Sequence, residues 1–163
     1  MTREGLEQYY KPREYESFDS AASEVFDKLE LIRPQHGHIL LETYSIGQSG
    51  TWAYKSLLPS GDWLDETRSA RRTYMSLGRA ELDAKYHSYF PGEGANLLQR
   101  FEVLADGEQR YSGDRTIESA KKGAFGAQAV SAELFAFPRY AEFIPEWMRT
   151  ALGDDWESYA AQR

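Results

Sequence analysis

Leu97-Leu98-Gln99-Arg100-Phe101-Glu102-Val103-Leu104-Ala105-Asp106-Gly107-Glu108-Gln109-Arg110-Tyr111-Ser112 is the stretch whose reading decides the fold. Leu97, Gln99, Phe101, Val103 and Ala105 alternate with Leu98, Arg100, Glu102 and Leu104, the two-residue period of a strand with two unlike faces. Asp106-Gly107 is a tight-turn dipeptide, so the run predicts a hairpin returning through residues 108–112. Just upstream, Pro91-Gly92-Glu93-Gly94 is a stop signal. Before it, Leu82, Tyr86, Tyr89 and Phe90 recur at helical spacing, predicting a helical span over residues 63–90 with an apolar stripe. Gly78 either splits that span or weakens it.

Further out the pattern repeats. Residues 38–46 and 51–58 are strand-like runs joined by Gly47-Gln48-Ser49-Gly50, a second hairpin signal closed by Pro59-Ser60-Gly61-Asp62. Phe18, Ala21, Ala22, Val25, Phe26 and Leu29 fall on one face of a helix over residues 19–31, with Ser17 or Asp19 as N-cap and Pro34 as its end. Beyond the quoted hairpin, short helices are expected at residues 116–122, 128–135 and 145–152, the last stopped by Gly153. The sum is an α+β fold: a four-stranded antiparallel sheet from two hairpins, with helices packed on one face. Residues 1–163 are expected to form a single domain, with residues 1–12 a flexible N-terminal segment.

Composition narrows the function classes. The chain has 163 residues, 41% hydrophobic and 28% charged, which suits a globular domain and not a disordered one. It carries no cysteine, so disulfides, thiol nucleophiles and thiolate metal sites are excluded. A net charge of -7 disfavours direct nucleic-acid binding over the whole surface. The N-terminal residues have no signal-peptide character, and no run approaches the ~18 apolar residues of a membrane span, so a soluble cytoplasmic protein without membrane partners is expected.

Three groups of residues are candidates for function. His36-Gly37-His38 would turn two imidazoles to one side of a strand if Gly37 were extended, with Glu42 or His87 as a third metal ligand. The plainer and preferred reading is an exposed, unliganded strand entrance. Arg68, Arg72 and Arg79, with Arg71 beside them, form a stripe suited to a phosphate or carboxylate. Asp62, Asp65 and Glu66 precede them, which favours an ion-paired face. The glycine runs Gly92-Glu93-Gly94 and Gly123-Ala124-Phe125-Gly126 match no phosphate loop and read as turns. No nucleophile elbow is present, and no cofactor is implied.

Aromatic residues make up 14% of the chain and crowd into residues 134–147. Pro138 and Pro145 break that run, so its rings cannot all share one helix face. Phe135, Phe143 and Ile144 are assigned to the core. Tyr140, Trp147 and Trp156 are the partner-binding candidates, joined by the acidic residues Asp154, Asp155 and Glu157.

A helix, a hairpin ending in Pro59-Ser60-Gly61-Asp62-Trp63, a long helix and a further hairpin resemble, in element order over residues 18–112, the bacterial polymorphic-toxin immunity proteins. The resemblance implies a protein that binds and blocks another, and carries over no functional residue. The leading expectation is accordingly a small acidic cytoplasmic inhibitor of the immunity or anti-defence type, occluding a basic protein partner without catalysis. The alternatives are a small enzyme or ligand-binding protein with a His/Arg-lined pocket, or a phage or secretion assembly subunit. Oligomeric state is not readable from the sequence.

Overall fold

A computed structural model describes residues 15–46, 55–57, 78–117 and 125–163. In chain order the described elements are α1 (Phe18–His36), β1 (Ile39–Tyr44), β2 (Lys55–Leu57), α2 (Gly78–His87), β3 (Leu98–Val103), β4 (Gln109–Asp114), α3 (Ala127–Ala136) and α4 (Glu146–Leu152), with short 3-10 turns at Ala141–Phe143 and Trp156–Tyr159. The α+β reading holds. Strands pair antiparallel in the order β2-β1-β3-β4. The body of the sheet is the three six-residue strands β1, β3 and β4, and β2 adds three residues along the outer edge of β1.

The quoted hairpin forms as its alternation predicts. Phe101 and Val103 are buried beside Ile39 and Leu41 of β1, while Leu98, Arg100 and Glu102 alternate to the other, half-open face. Gly107 takes the turn at φ 89°, a conformation that glycine adopts without strain. Helix α1 lies on the buried face through Ala21, Ala22, Val25, Phe26 and Leu29, the residues its 3.6-residue period selects. Ser17 is its N-cap, its hydroxyl accepting from the Ser20 N–H at 3.1 Å. Phe26 meets Phe101 edge-on at 5.7 Å, Phe101 meets Tyr111 at 5.1 Å, and Tyr111 meets Phe18 at 4.7 Å. Such edge-to-face pairs add about 0.5–1.5 kcal/mol each beyond burial.

Two expectations about helices are corrected. Pro34 does not end α1 but lies inside its last turn. The missing N–H falls where the helix is about to finish, and Gly37, at φ 76°, closes the end by donating to the Arg33 carbonyl at 2.6 Å. The second correction concerns α2. Its apolar stripe is split: Tyr86 is 37% exposed and Phe90, past the helix end, 57%, while Leu82 and Tyr89 are half-buried and pack against Ala95 and Phe137. The helix also buries Ala80 and Ala84 against α1, where small side chains permit close approach, and takes Glu81, Asp83 and Lys85 inside with them. Residues 58–77, which hold the rest of the expected helical span, and the flexible N-terminal segment expected at residues 1–12 lie outside the described residues. So do most of the helix expected at residues 116–122 and the loop of the first hairpin.

A second core sits at one end of the sheet. Ile46, Leu97, Ile117 and Phe125 pack there against Val130 and Leu134 of α3 and Trp147, Met148 and Leu152 of α4. Helices α3 and α4 fall where residues 128–135 and 145–152 predict them, and Gly153 caps α4 at φ 88°.

Candidate partner-binding surface

The C-terminal aromatic run is pinned in place by one arginine. Arg139 is wholly buried, and its guanidinium donates to the carbonyls of Phe143 (3.0 Å), Ala95 (3.2 Å) and Arg115 (2.7 Å). Arg115 in turn donates to the carbonyls of Gly94 (3.2 Å) and Ser88 (3.0 Å). The loop at Gly92 and Gly94 closes around this centre. A Cβ on Gly94 would lie 2.2 Å from the Arg139 Nε, and one on Gly92 would lie 2.1 Å from the Tyr140 ring. The two glycines thus serve close packing, which agrees with their reading as a turn and not a phosphate cradle.

Beyond Arg139 the chain turns through Ala141–Phe143 into α4. Arg149 of α4 donates to the carbonyls of Ile144 (2.8 Å) and Ala141 (3.0 Å), and its guanidinium lies 4.2 Å from the centre of the Trp156 ring. This one side chain ties the turn bearing Phe143 to the turn that follows Asp154 and Asp155. Ala161 N–H donates to the Arg139 carbonyl at 2.7 Å, and Arg163 pairs with Glu142 and covers the Tyr140 ring.

The structure sorts the partner-binding candidates. Asp154, Asp155 and Glu157 are exposed. Trp156 is half-buried beneath Arg149, and Tyr140 is half-buried between Gly92 and Arg163. Trp147 is corrected: it is buried in the second core, its indole N–H donating to the Thr116 carbonyl, and offers no surface. Phe135 and Phe143 are corrected in the opposite sense, being exposed, whereas Ile144 is core as expected. Pro145 starts α4 in a register that turns Trp147 inward and leaves Phe143 on the preceding turn. Tyr159, which the sequence reading passed over, is 40% exposed on the turn that carries Glu157.

His36 and His38 do not share a strand. Gly37 caps a helix with left-handed φ and is not extended, so His36 ends α1 while His38 precedes β1. His38 Nε2 lies 2.9 Å from Glu102 Oε2, Glu42 pairs with Arg100 at 2.8 Å, and His87 Nε2 lies 3.2 Å from the Tyr15 carbonyl oxygen. Among the described residues no three His, Asp or Glu side chains are grouped to hold a metal ion. Arg68, Arg71 and Arg72 lie outside the described residues, and Arg79 is placed only as the second residue of α2.

A buried ionic centre was not legible in the sequence. Lys85 donates to Glu133 Oε2 of α3 at 2.8 Å and to the Ser45 carbonyl at 3.0 Å, with both charged side chains at most 1% exposed. Burial pushes the Lys85 ammonium below its ordinary pKa, against the opposing pull of Glu133. Burial likewise lowers Arg139, again opposed by Glu133. With Glu81 and Asp83 also inside, this centre joins the first core to the second.

No family model, curated protein or solved structure matches the chain. Among the described residues, no helix is long and apolar enough to cross a membrane.

Proposed function

We propose that this protein is a non-catalytic inhibitor of the immunity or anti-defence type, which occludes a basic protein partner in the cytoplasm through its C-terminal acidic and aromatic surface. The observation that carries the reading is the turn Asp154-Asp155-Trp156-Glu157. Its three carboxylates face solvent while Trp156 is clamped beneath Arg149, so the charges are presented on a pre-ordered backbone. Exposed Phe143 and Tyr159 supply the apolar contact area that such an interface needs at its centre. An acidic patch of this kind raises the rate of encounter with a cationic surface and makes that rate salt-dependent.

Purification of the intact protein from its source cell, read by mass spectrometry and light scattering, is the direct test. A stoichiometric basic protein is expected to travel with it. Against that partner, reversing Asp154, Asp155 and Glu157 to Lys should slow association at least about tenfold at low salt and flatten its salt dependence. Unchanged kinetics would remove this patch from the interface, and a chain that purifies alone as a monomer would overturn the inhibitor reading.

A further inference from the structure

Strand β4 closes the sheet on the side away from β2, and its pairing with β3 fixes which way each main-chain group points. Leu104 N–H donates to the Glu108 carbonyl at 2.9 Å, and the register pairs Glu102 with Arg110, Arg100 with Ser112 and Leu98 with Asp114. Antiparallel pairs alternate in their bonding, so Arg110, Ser112 and Asp114 turn their amides inward to β3. Gln109, Tyr111 and Gly113 therefore turn theirs outward. Among the described residues no hydrogen bond engages those outward groups. Gln109, Arg110, Ser112 and Gly113 are exposed, and the strand contains no proline and no lysine, two residues that commonly blunt an open edge.

We propose that this edge receives a second copy of the same chain, β4 against β4, antiparallel and centred on Ser112. The charges on the strand suit a second copy as occupant, and together with the length of overlap they select the register. A two-fold axis at Ser112 sets Tyr111 opposite Gly113 of the second copy, an odd-numbered pair whose outward amides bond reciprocally on both sides of the axis. The same register sets Arg110 opposite Asp114 of the second copy, twice, in the closely spaced non-hydrogen-bonded positions where opposite charges attract most. Centring on Tyr111 would oppose Glu108 to Asp114, and centring on Arg110 would oppose two guanidinium groups. Axes at Gln109 or Gly113 also avoid like charges but pair only one or three residues of β4 with the second copy, against five for the Ser112 axis. Asp114 stays ionised for this role: burial raises its pKa, but the Thr116 and Ile117 N–H groups, the Thr116 hydroxyl and Arg100 together bring it below its ordinary value. Gly113 adds no side chain on the edge opposite Tyr111. The interface shares no residue with the C-terminal acidic surface, so the two proposals stand or fall separately.

The chain has no cysteine, which makes single-cysteine cross-linking a clean test on the full-length protein. In Ser112→Cys the two sulfurs would face each other across a non-hydrogen-bonded pair, where Cα atoms are about 4.5 Å apart and within disulfide reach. In Gln109→Cys they would be on the order of 20 Å apart. Under mild oxidation Ser112→Cys should form a covalent dimer at least about a hundredfold faster than Gln109→Cys. Adding Arg110→Glu, with far-UV CD confirming the fold, should slow that reaction about tenfold or more. Sedimentation of the unmodified protein should show a concentration-dependent dimer. Equal cross-linking rates for the two cysteine variants would overturn the register. A protein that sediments as a monomer up to millimolar concentration would overturn the dimer itself.

Discussion

Gly92, Gly94 and Gly107 all take positive φ, at 84°, 97° and 89°, yet they differ in what surrounds them. A methyl group at Gly107 meets nothing within 4 Å, so Gly107→Ala pays only for left-handed φ, about 1 kcal/mol. Gly94→Ala adds a collision with the buried Arg139 guanidinium and Gly92→Ala one with the Tyr140 ring. Each should cost at least about 3 kcal/mol in urea denaturation, because neither neighbour can move without breaking its own contacts. The Lys85–Glu133 pair obeys a different logic. Lys85→Met leaves Glu133 in the interior without its ammonium partner and should destabilise by about 3–5 kcal/mol, whereas Lys85→Met with Glu133→Leu should be near neutral or stabilising. Measured midpoints that fall equally for the single and double variants would contradict this account.

At the scale of elements, the turn leaving β4 rests on one carboxylate. Asp114 Oδ1 accepts from the Thr116 N–H (2.8 Å), the Ile117 N–H (3.0 Å) and the Thr116 hydroxyl (3.0 Å). Ile117 needs that support, since at φ 39° it is a β-branched residue in left-handed conformation whose side chain is drawn into the second core. Because the folded pKa of Asp114 is lowered from 3.8, its contribution is present above that value and is lost as pH falls through the folded pKa. Asp114→Ala should cost about 2 kcal/mol at pH 7, and the difference from the unmodified protein should shrink below pH 4. A gap that stays constant down to pH 2 would show that the charge of Asp114 is irrelevant to the turn. The same scale explains where sequence reading succeeded. Helix α1 and strand β3 bury the faces their own periodicity marks, whereas α3 and α4 were legible in extent only, Phe135 and Trp147 falling on the sides opposite to those expected. Helix α2 buries its marked face only in part: Leu82 packs against Ala95 and Phe137, but Tyr86 stays exposed while Ala80 and Ala84 join the first core.

For the molecule as a whole, the first core of α1 on the sheet and the second core of α3 and α4 are joined by Lys85, Glu133 and the Ser45 carbonyl. That link predicts one cooperative unit. Phe101→Ala in the first core and Leu134→Ala in the second should each lower the stability by about 3 kcal/mol. Far-UV CD and tryptophan fluorescence should shift together in both variants. Separate transitions would mean that the two cores unfold independently. By itself the sequence determined the α+β class, the hairpin at Asp106-Gly107, the cap at Gly153 and the absence of any thiol chemistry, because these follow from local period, turn residues and composition. Only the tertiary structure decided that Trp147 is core and Phe143 surface, that three charged residues of α2 lie inside, and that among the described residues no strand pairs with the outer edge of β4. Those outcomes depend on which face a neighbouring element covers and on partners distant in sequence, such as Lys85 and Glu133, which no local pattern records.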